Sequence, residues 1–514
     1  MKINSKKRAL FSLFDQRNSL SYAKQLISLG WEIVASKETV DILKKNHIPV
    51  MDISNFLKIK TKYPFPPTLH PYLELALSTN IGKSIDLVYV STYPLSQGND
   101  VGGHTMLALA AKGKKIVIWE NEDMRNVLQR LKKNNNQVSP FLRKLLIDKV
   151  HDKIIDHYLS LKNDSQFRES KKIIIGKKIK NLLEGENPYQ IPCSLFQTNK
   201  KDNLGLPNFK QIAGIKPCYT NMADFDCLVH TLCLLTEAFS LRYKKIPYIV
   251  IASKHGNPIG FAVDWENPQT AIENALFGHP VAMFGGEVIT NFSITQEFAR
   301  MLVSSPRRKR LLGNPNWMPD LIIASDFHRD AVKILAQRKR LKLFKNEKLV
   351  SAYLNEKNWS YREVRGGFLR QPPNDYVLDL NKVIKNTAPV DAIYVDSLII
   401  AWAAAWNSSL GGNEVAIAKN RMLLGIGGGP ATIDSCYSAI NRAKNCGHNL
   451  KNSSFAANAF FPFTDAPAEL VKSGCIYGLV PSGGKNFELI KKYFTRKGAG
   501  VFYLPEQFRG FSRH

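Results

Sequence analysis

Between Arg8 and Trp119 short apolar runs alternate with amphipathic stretches, and that alternation limits the chain's fold more than any other feature. The runs are Arg8 to Phe14, Trp31 to Ser36, Ile85 to Thr92 and Lys115 to Trp119; helical periodicity covers Ser19 to Ser28 and Thr39 to Asn46. Strands separated by helices pair most simply in parallel, because a parallel partner needs a long crossover. The pattern therefore predicts an α/β fold with a parallel sheet flanked by helices. Charged, Asn-rich helical sequence follows from Glu122 to Lys172, and Pro, Gly and Asn near Gly185 mark the entrance to a further domain. The expected organisation is an α/β domain over 1–150, a helical linker over 151–184 and a longer region over 185–514. At 514 residues the chain exceeds what one core organises.

Composition narrows the partners. The formal net charge of +28 admits nucleic acid, a membrane surface or anionic small molecules. The densest basic cluster, Arg307-Arg308-Lys309-Arg310, is short and lacks interleaved aromatics for stacking on bases, so a solvated face is expected there rather than a nucleic-acid site. No apolar run reaches the length of a membrane span, and the first residues lack a signal peptide's apolar core, so a cytoplasmic location is expected. The seven cysteines are scattered without CxxC pairs or histidine clusters, which predicts reduced thiols and no metal site.

Chemistry concentrates where the run Ile251-Ala252-Ser253 ends on Lys254-His255-Gly256-Asn257-Pro258. Open α/β sheets place sites at the carboxyl edge of their strands, and that edge is the expected position of this pair. A histidine takes a proton near neutral pH, and an adjoining ammonium steadies developing negative charge while disfavouring the imidazolium. Asn-Pro is also ordinary turn chemistry, so the pair taken alone reads more readily as a polar strand exit than as a site. The glycine runs Gly285-Gly286 and Gly427-Gly428-Gly429 fit neither the dinucleotide fingerprint nor the P-loop spacing; close-packed turns explain them as well as phosphate cradles do.

The order of several segments is distinctive. Lys254 to Gly260, Ala282 to Gly286, Gly412 to Asn420, Gly425 to Pro430, Asn458 to Phe463 and Pro481 to Gly484 resemble the motifs KHxNPxG, SAFGG, SNxVxxAKxG, GIGxGQ, DAFFPF and PGGS. These belong to the bifunctional purine-biosynthesis family of aminoimidazole carboxamide ribonucleotide formyltransferase and inosine monophosphate cyclohydrolase. Upstream, Gly185 to Gln190 resembles RYGENPHQ, and Tyr219 to Asp224 the YNN segment; the aromatic, arginine and histidine tail through Arg509, Arg513 and His514 fits as well. The resemblance implies an N-terminal methylglyoxal-synthase-like domain and a C-terminal region of two cytidine-deaminase-like α/β subdomains. It implies a homodimer acting on small molecules, with 10-formyltetrahydrofolate as co-substrate and no metal. By the same resemblance Lys254, His255 and Asn413 are catalytic in formyl transfer. Asn187, Asn221, Phe284, Gly285, Gly286, Phe461, Pro481, Ser482, Gly483 and Arg509 would then bind substrate.

In the N-terminal region Thr68 to Pro71, Tyr93 to Leu95, Asn99 to Gly103 and Ala110 to Lys112 resemble KTLHP, LYPF, IDIGG and AAAK. Tyr93, Asp100 and Lys112 have the chemistry to activate a nitrogen, stabilise a carbonyl and protonate a departing hydroxyl. Asp100 reads equally as a helix cap. Departures are concentrated on substrate handling: Leu183-Glu184 replace an Arg-Tyr pair, Tyr189 a histidine, Asn458 an aspartate and Pro430 a glutamine. Pro67 replaces a lysine, and Lys37-Glu38 stand where paired glycines cradle phosphate. Arg509, Arg513 and Lys485 are candidate replacements for the missing phosphate contacts. Two alternatives follow from these changes: formyl transfer beside an inactive N-terminal domain, or a nucleotide-binding paralogue without catalysis.

Overall fold

The computed structural model describes residues 6–59, 67–81, 84–163, 173–199, 201–354, 359–385 and 391–510. The chain divides into two compact units, Met1–Ile173 and Ile174–His514.

The first unit runs β1 (Arg8–Leu13), α1 (Ser19–Ser28), β2 (Glu32–Ala35), α2 (Lys37–Lys45), β3 (Met51–Asp52), α3 (Ile53–Phe56), α4 (Pro71–Ser78), β4 (Leu87–Ser91), α5 (Val101–Lys112) and β5 (Ile116–Ile118); periodicity predicts β1, α1, β2, α2, β4 and β5, and the structure adds β3, α3, α4 and α5. The strands pair in parallel in the order β3-β2-β1-β4-β5, with Leu10 between Val34 and Val88. Order reverses at β1, so the carboxyl ends of β1 and β4 border a switch-point crevice. Helices α6 (Asn121–Lys133) and α7 (Pro140–Asn163) complete the unit, and α7 runs on past residue 150. Met124, Val127, Leu131, Leu146 and Val150 join the same buried core as the strands.

The second unit begins with the antiparallel pair β6 (Lys177–Asn181) and β7 (Ser194–Gln197). A twelve-stranded mixed sheet follows, and its elements occur twice. The first run is β8 (Lys210–Ala213), α8 (Tyr219–Tyr243), β9 (Tyr248–Lys254), β10 (Asn257–Asp264), α9 (Pro268–Gly278), β11 (Glu287–Thr290), α10 (Gln296–Val303), α11 (Pro306–Leu312), β12 (Leu321–Ala324), α12 (Arg329–Leu335) and β13 (Lys342–Lys345). A hairpin of β14 (Ser360–Val364) and β15 (Gly367–Gln371) intervenes. The second run is β16 (Ile384–Lys385), α13 (Ala392–Asn407), β17 (Val415–Lys419), β18 (Met422–Gly427), α14 (Thr432–Asn445), β19 (Ser453–Ala457), α15 (Asp465–Lys472), β20 (Cys475–Pro481), α16 (Phe487–Arg496) and β21 (Gly500–Leu504).

Across the sheet the order is β8-β13-β12-β11-β9-β10-β18-β17-β19-β20-β21-β16. Each half has the same pairing: an antiparallel hairpin, three parallel strands and an antiparallel outer strand. The halves join where β10 pairs antiparallel with β18, Ala262 opposite Met422. Helices α8 and α13 share one core on one face. Helix α13, AIYVDSLIIAWAAAWN, is apolar on every side apart from Asp396, Ser397 and Asn407, as suits a helix enclosed by other elements, and Val395 to Asn407 are buried. Separate cores under α9 with α12, and under α14 with α16, cover the other face.

Candidate active site

Lys254 and His255 lie on a hairpin corner. Lys254 pairs with Asn257, so His255 and Gly256 form a two-residue turn, with φ of 54° and 70°. Positive φ at both central residues is the type I′ signature, which matches strand twist. The Asn257-Pro258 dipeptide, expected as the turn, instead opens β10. Because β9 is antiparallel to β11, its carboxyl end lies at the amino edge of β11 to β13, not at their carboxyl edge. The Lys254 ammonium donates to the Phe284 carbonyl and stands 6.0 Å from the Phe284 ring. Gly285, at φ 79°, donates its N–H to Met318 O at 2.7 Å, and a side chain on Gly286 would press on Ser253 O. These glycines let the Phe284 loop close on the corner.

The loop before β17 reaches the same corner. Ser409 N donates to Asn257 Oδ1 at 3.3 Å, while Asn257 Nδ2 donates to His255 O at 3.0 Å. Asn257 therefore bridges the turn that carries His255 and the loop that carries Asn413. Asn413, at φ 47°, directs its amide nitrogen to the carbonyls of Gly429 at 3.1 Å and Pro430 at 3.0 Å. Pro430, where the family pattern has glutamine, thus supplies a backbone acceptor.

Two other groups gather nearby. Ser482 N bonds Leu504 O at 2.7 Å, Gly483 passes beside Glu506, and Arg509 pairs with Glu506 at 3.5 Å. Gly510 N bonds Asn458 O at 3.0 Å, which fixes this segment next to the Asn413 loop. Pro481, Ser482, Gly483 and Arg509 are brought together; Arg513 lies outside the described residues. Phe461 is instead buried in the core, 6.3 Å from Phe494, so its ring does not line the corner. On the other side Tyr219 N bonds Glu184 O at 3.0 Å and sets the Asn187 turn against the start of α8. Asn187 itself is folded onto Gln190 Oε1 at 2.9 Å.

Asn221 is 3% exposed; it accepts from Cys218 N at 3.3 Å and donates to Glu287 Oε1 at 3.1 Å. Its amide is thus engaged by the fold. Burial, then the neighbouring Asp224, holds the Glu287 carboxyl well above the usual carboxylate range. Sequence reading missed Glu287 and the buried Glu414, because nothing local distinguishes a buried glutamate from a loop one. The basic cluster also differs from expectation: Arg308 is buried, 5.0 Å from the Trp317 ring.

In the first unit Thr68, Tyr93, Asn99 and Asp100 converge. Asp100 Oδ1 caps α5 by accepting from Gly103 N at 2.7 Å, and Tyr93 Oη donates to Asn99 O at 3.2 Å. Thr68 touches Gly102, where any side chain would collide with its hydroxyl. Two histidines that sequence reading passed over complete the group: His104 stacks on His157 at 3.7 Å, and His157 Nε2 meets Asn99 Oδ1 at 2.8 Å. Burial, then His104 and Lys153, lowers the His157 pKa against an opposing pull from Asp100. Lys112 is not brought to Tyr93 and Asp100. It ends the helix that Asp100 begins, roughly 18 Å of helical rise away, and lies 3.8 Å from the exposed Glu74. Lys37 and Glu38 form the first turn of α2, at the carboxyl end of β2.

The family described as AICARFT/IMPCHase bienzyme matches residues 110–442. The chain is 28% identical to the bifunctional purine biosynthesis protein PurH of Persephonella marina, covering 93% of this chain and 94% of that one. It is 28% identical to PurH of Thermoanaerobacter sp., covering 97% and 98%, and 29% identical to that of Caldicellulosiruptor saccharolyticus, covering 93% and 94%. A solved structure, that of ForH, is 24% identical and covers 30% of this chain and 96% of its own, with a TM-score of 0.28. With a match over well more than half its length, and the hairpin, glycine loop and Asn413 loop assembled at one corner, this chain belongs to the AICARFT/IMPCHase bienzyme family.

Proposed function

We propose that the chain acts twice in purine biosynthesis: the second unit transfers a formyl group from 10-formyltetrahydrofolate to the amine of aminoimidazole carboxamide ribonucleotide, and the first closes the ring, with loss of water, to inosine monophosphate. His255 removes the amine proton as the nitrogen attacks, Lys254 steadies the negative charge or protonates the departing folate nitrogen, and Asn413 donates to the formyl oxygen. Since both N–H groups of Asn413 face carbonyls, donation requires one of those bonds to open when substrate arrives. Arg509, Ser482 and Gly483 form the anion-facing side, and Phe284 to Gly286 the opposite one. Ring closure falls to Tyr93 and Asp100; the distance of Lys112 from them supports a lesser role for it.

The observation that carries the reading is the bridge through Asn257, which joins the Lys254-His255 turn to the Asn413 loop in a chain whose relatives are named as bifunctional purine-biosynthesis proteins. In the same reading the first unit is methylglyoxal-synthase-like and each six-stranded half of the large sheet is cytidine-deaminase-like. The protein works in the cytoplasm as a homodimer. The exposed apolar residues Trp359, Tyr361, Phe368 and Leu369, on or beside the β14–β15 hairpin, support a partner surface. No helix among the described residues is long and apolar enough to cross a membrane.

The test mixes protein, formyl-folate and the ribonucleotide and follows tetrahydrofolate release. The Lys254→Ala, His255→Ala double variant should fall by about 10³-fold or more while still closing the ring of supplied formylated intermediate. Equal release by variant and parent would remove the formyl-transfer assignment.

A further inference from the structure

Glu414 lies next to Asn413 and has no role in the chemistry set out above, yet it is 2% exposed. Its Oε1 accepts from Leu410 N at 3.1 Å and from Gly412 N at 3.0 Å, so one oxygen closes the loop on itself. Its other oxygen, Oε2, accepts from the amide nitrogen of Asn458, which is fully buried. Asn458 in turn receives Gly510 N on its backbone carbonyl, and its backbone N–H bonds Glu414 O at 3.1 Å. One carboxyl group thereby fixes three segments: the loop 409–413, the end of β19, and the strand exit that carries Arg509. A buried carboxyl costs much free energy unless its oxygens are all engaged, and here they are.

The loop held this way has unusual backbone. Gly411, Gly412 and Asn413 take φ of 117°, 86° and 47° in succession, left-handed backbone that glycine adopts freely and asparagine tolerates better than most side chains. Gly412 O accepts from Gly429 N at 2.7 Å, which seats the turn against the glycine run. At its other end Ser409 N reaches Asn257, and Asn257 reaches the carbonyl of His255.

From this geometry we infer that Glu414 is the positioning residue of the formyl-transfer site: it sets the Asn413 amide in place and, through Ser409 and Asn257, steadies the turn that presents His255. The inference rests on the formyl-transfer reading for its consequence in rate, but the anchoring itself is a statement about the loop. Asn458 is part of the device: its amide donates where an aspartate would set a second carboxyl against Glu414.

The experiment compares the full-length protein with Glu414→Ala, Glu414→Gln, Asn413→Ala and Glu414→Ala/Asn413→Ala. Glu414→Gln keeps an acceptor for the two loop N–H groups and, once the Asn458 amide turns to offer its Oδ1 to the new NH2 group, should stay within about threefold of the parent. Glu414→Ala should lose about 100-fold in kcat for formyl transfer, the scale of a misplaced catalytic group, with KM for the ribonucleotide little changed and ring closure intact. In the double variant the loss should not exceed that of the worse single variant, because a displaced Asn413 has nothing further to lose. Hydrogen exchange should rise at 409–414 and 255–258 in Glu414→Ala. Unchanged exchange there overturns the anchor; faster exchange with undiminished formyl transfer, or losses that multiply in the double variant, overturns the positioning role. A parent protein without any formyl transfer would sink the functional reading, and the exchange data would still decide the anchor.

Discussion

His255 occupies left-handed backbone space, where histidine is tolerated better than most side chains, and the cause is the demand of a two-residue hairpin for positive φ. A second histidine shows how burial acts on the same group. His279 follows α9 with a buried, unpartnered Nδ1, and burial, then Arg442 and His448, pushes its pKa down to about 4. Between about 6.5 and about 4 the unfolded chain takes up a proton that the folded chain refuses, so stability declines as pH falls through that window. The urea midpoint should drop from pH 7 to pH 5, and His279→Gln should reduce the drop; an equal drop in parent and variant would remove His279 as the cause. Sequence reading chose Lys254 and His255 because their chemistry is local. It assigned Phe461 to substrate because a motif fixes position in the chain, not the direction of a ring, and here packing against Phe494 decides that direction.

The strands and helices of the first unit were legible because each carries its own period, two for strands and 3.6 for helices. The doubling inside the second unit followed from the family resemblance alone, and periodicity does not show it. Its two hairpins share a corner, Lys254-His255-Gly256-Asn257 and Lys419-Asn420-Arg421-Met422, each with two positive-φ residues after a lysine, but almost no residue identity. In the second copy Arg421 turns inward to the fully buried Asp396 at 2.7 Å, so that corner is structural. Close helix–sheet contact also recurs: a methyl group on Gly260 would overlap the carbonyl of Ala275 in α9, and one on Gly425 that of Ala439 in α14. Gly425→Ala should therefore cost about 1–3 kcal/mol, measured by denaturant unfolding, and a neutral result would show that α14 can shift away from β18.

On the scale of the whole chain the net charge of +28 matters most for anionic substrates. Salt shortens the reach of such a field from about 10 Å at 0.1 M to about 3 Å at 1 M. KM for the ribonucleotide and the folate should rise severalfold over that range while kcat holds; a flat KM would show that the charge serves only solubility. The charge was visible in composition, but its distribution was not: Arg308, read as part of a solvated cluster, is buried against Trp317.

The bond from Ser409 to Asn257 crosses between the two copies of the sheet motif. Had the copies been separate molecules, that loop would have to be found by diffusion at every encounter, and dilution would strip it away. Fusion in one polypeptide keeps its effective concentration constant however scarce the protein becomes.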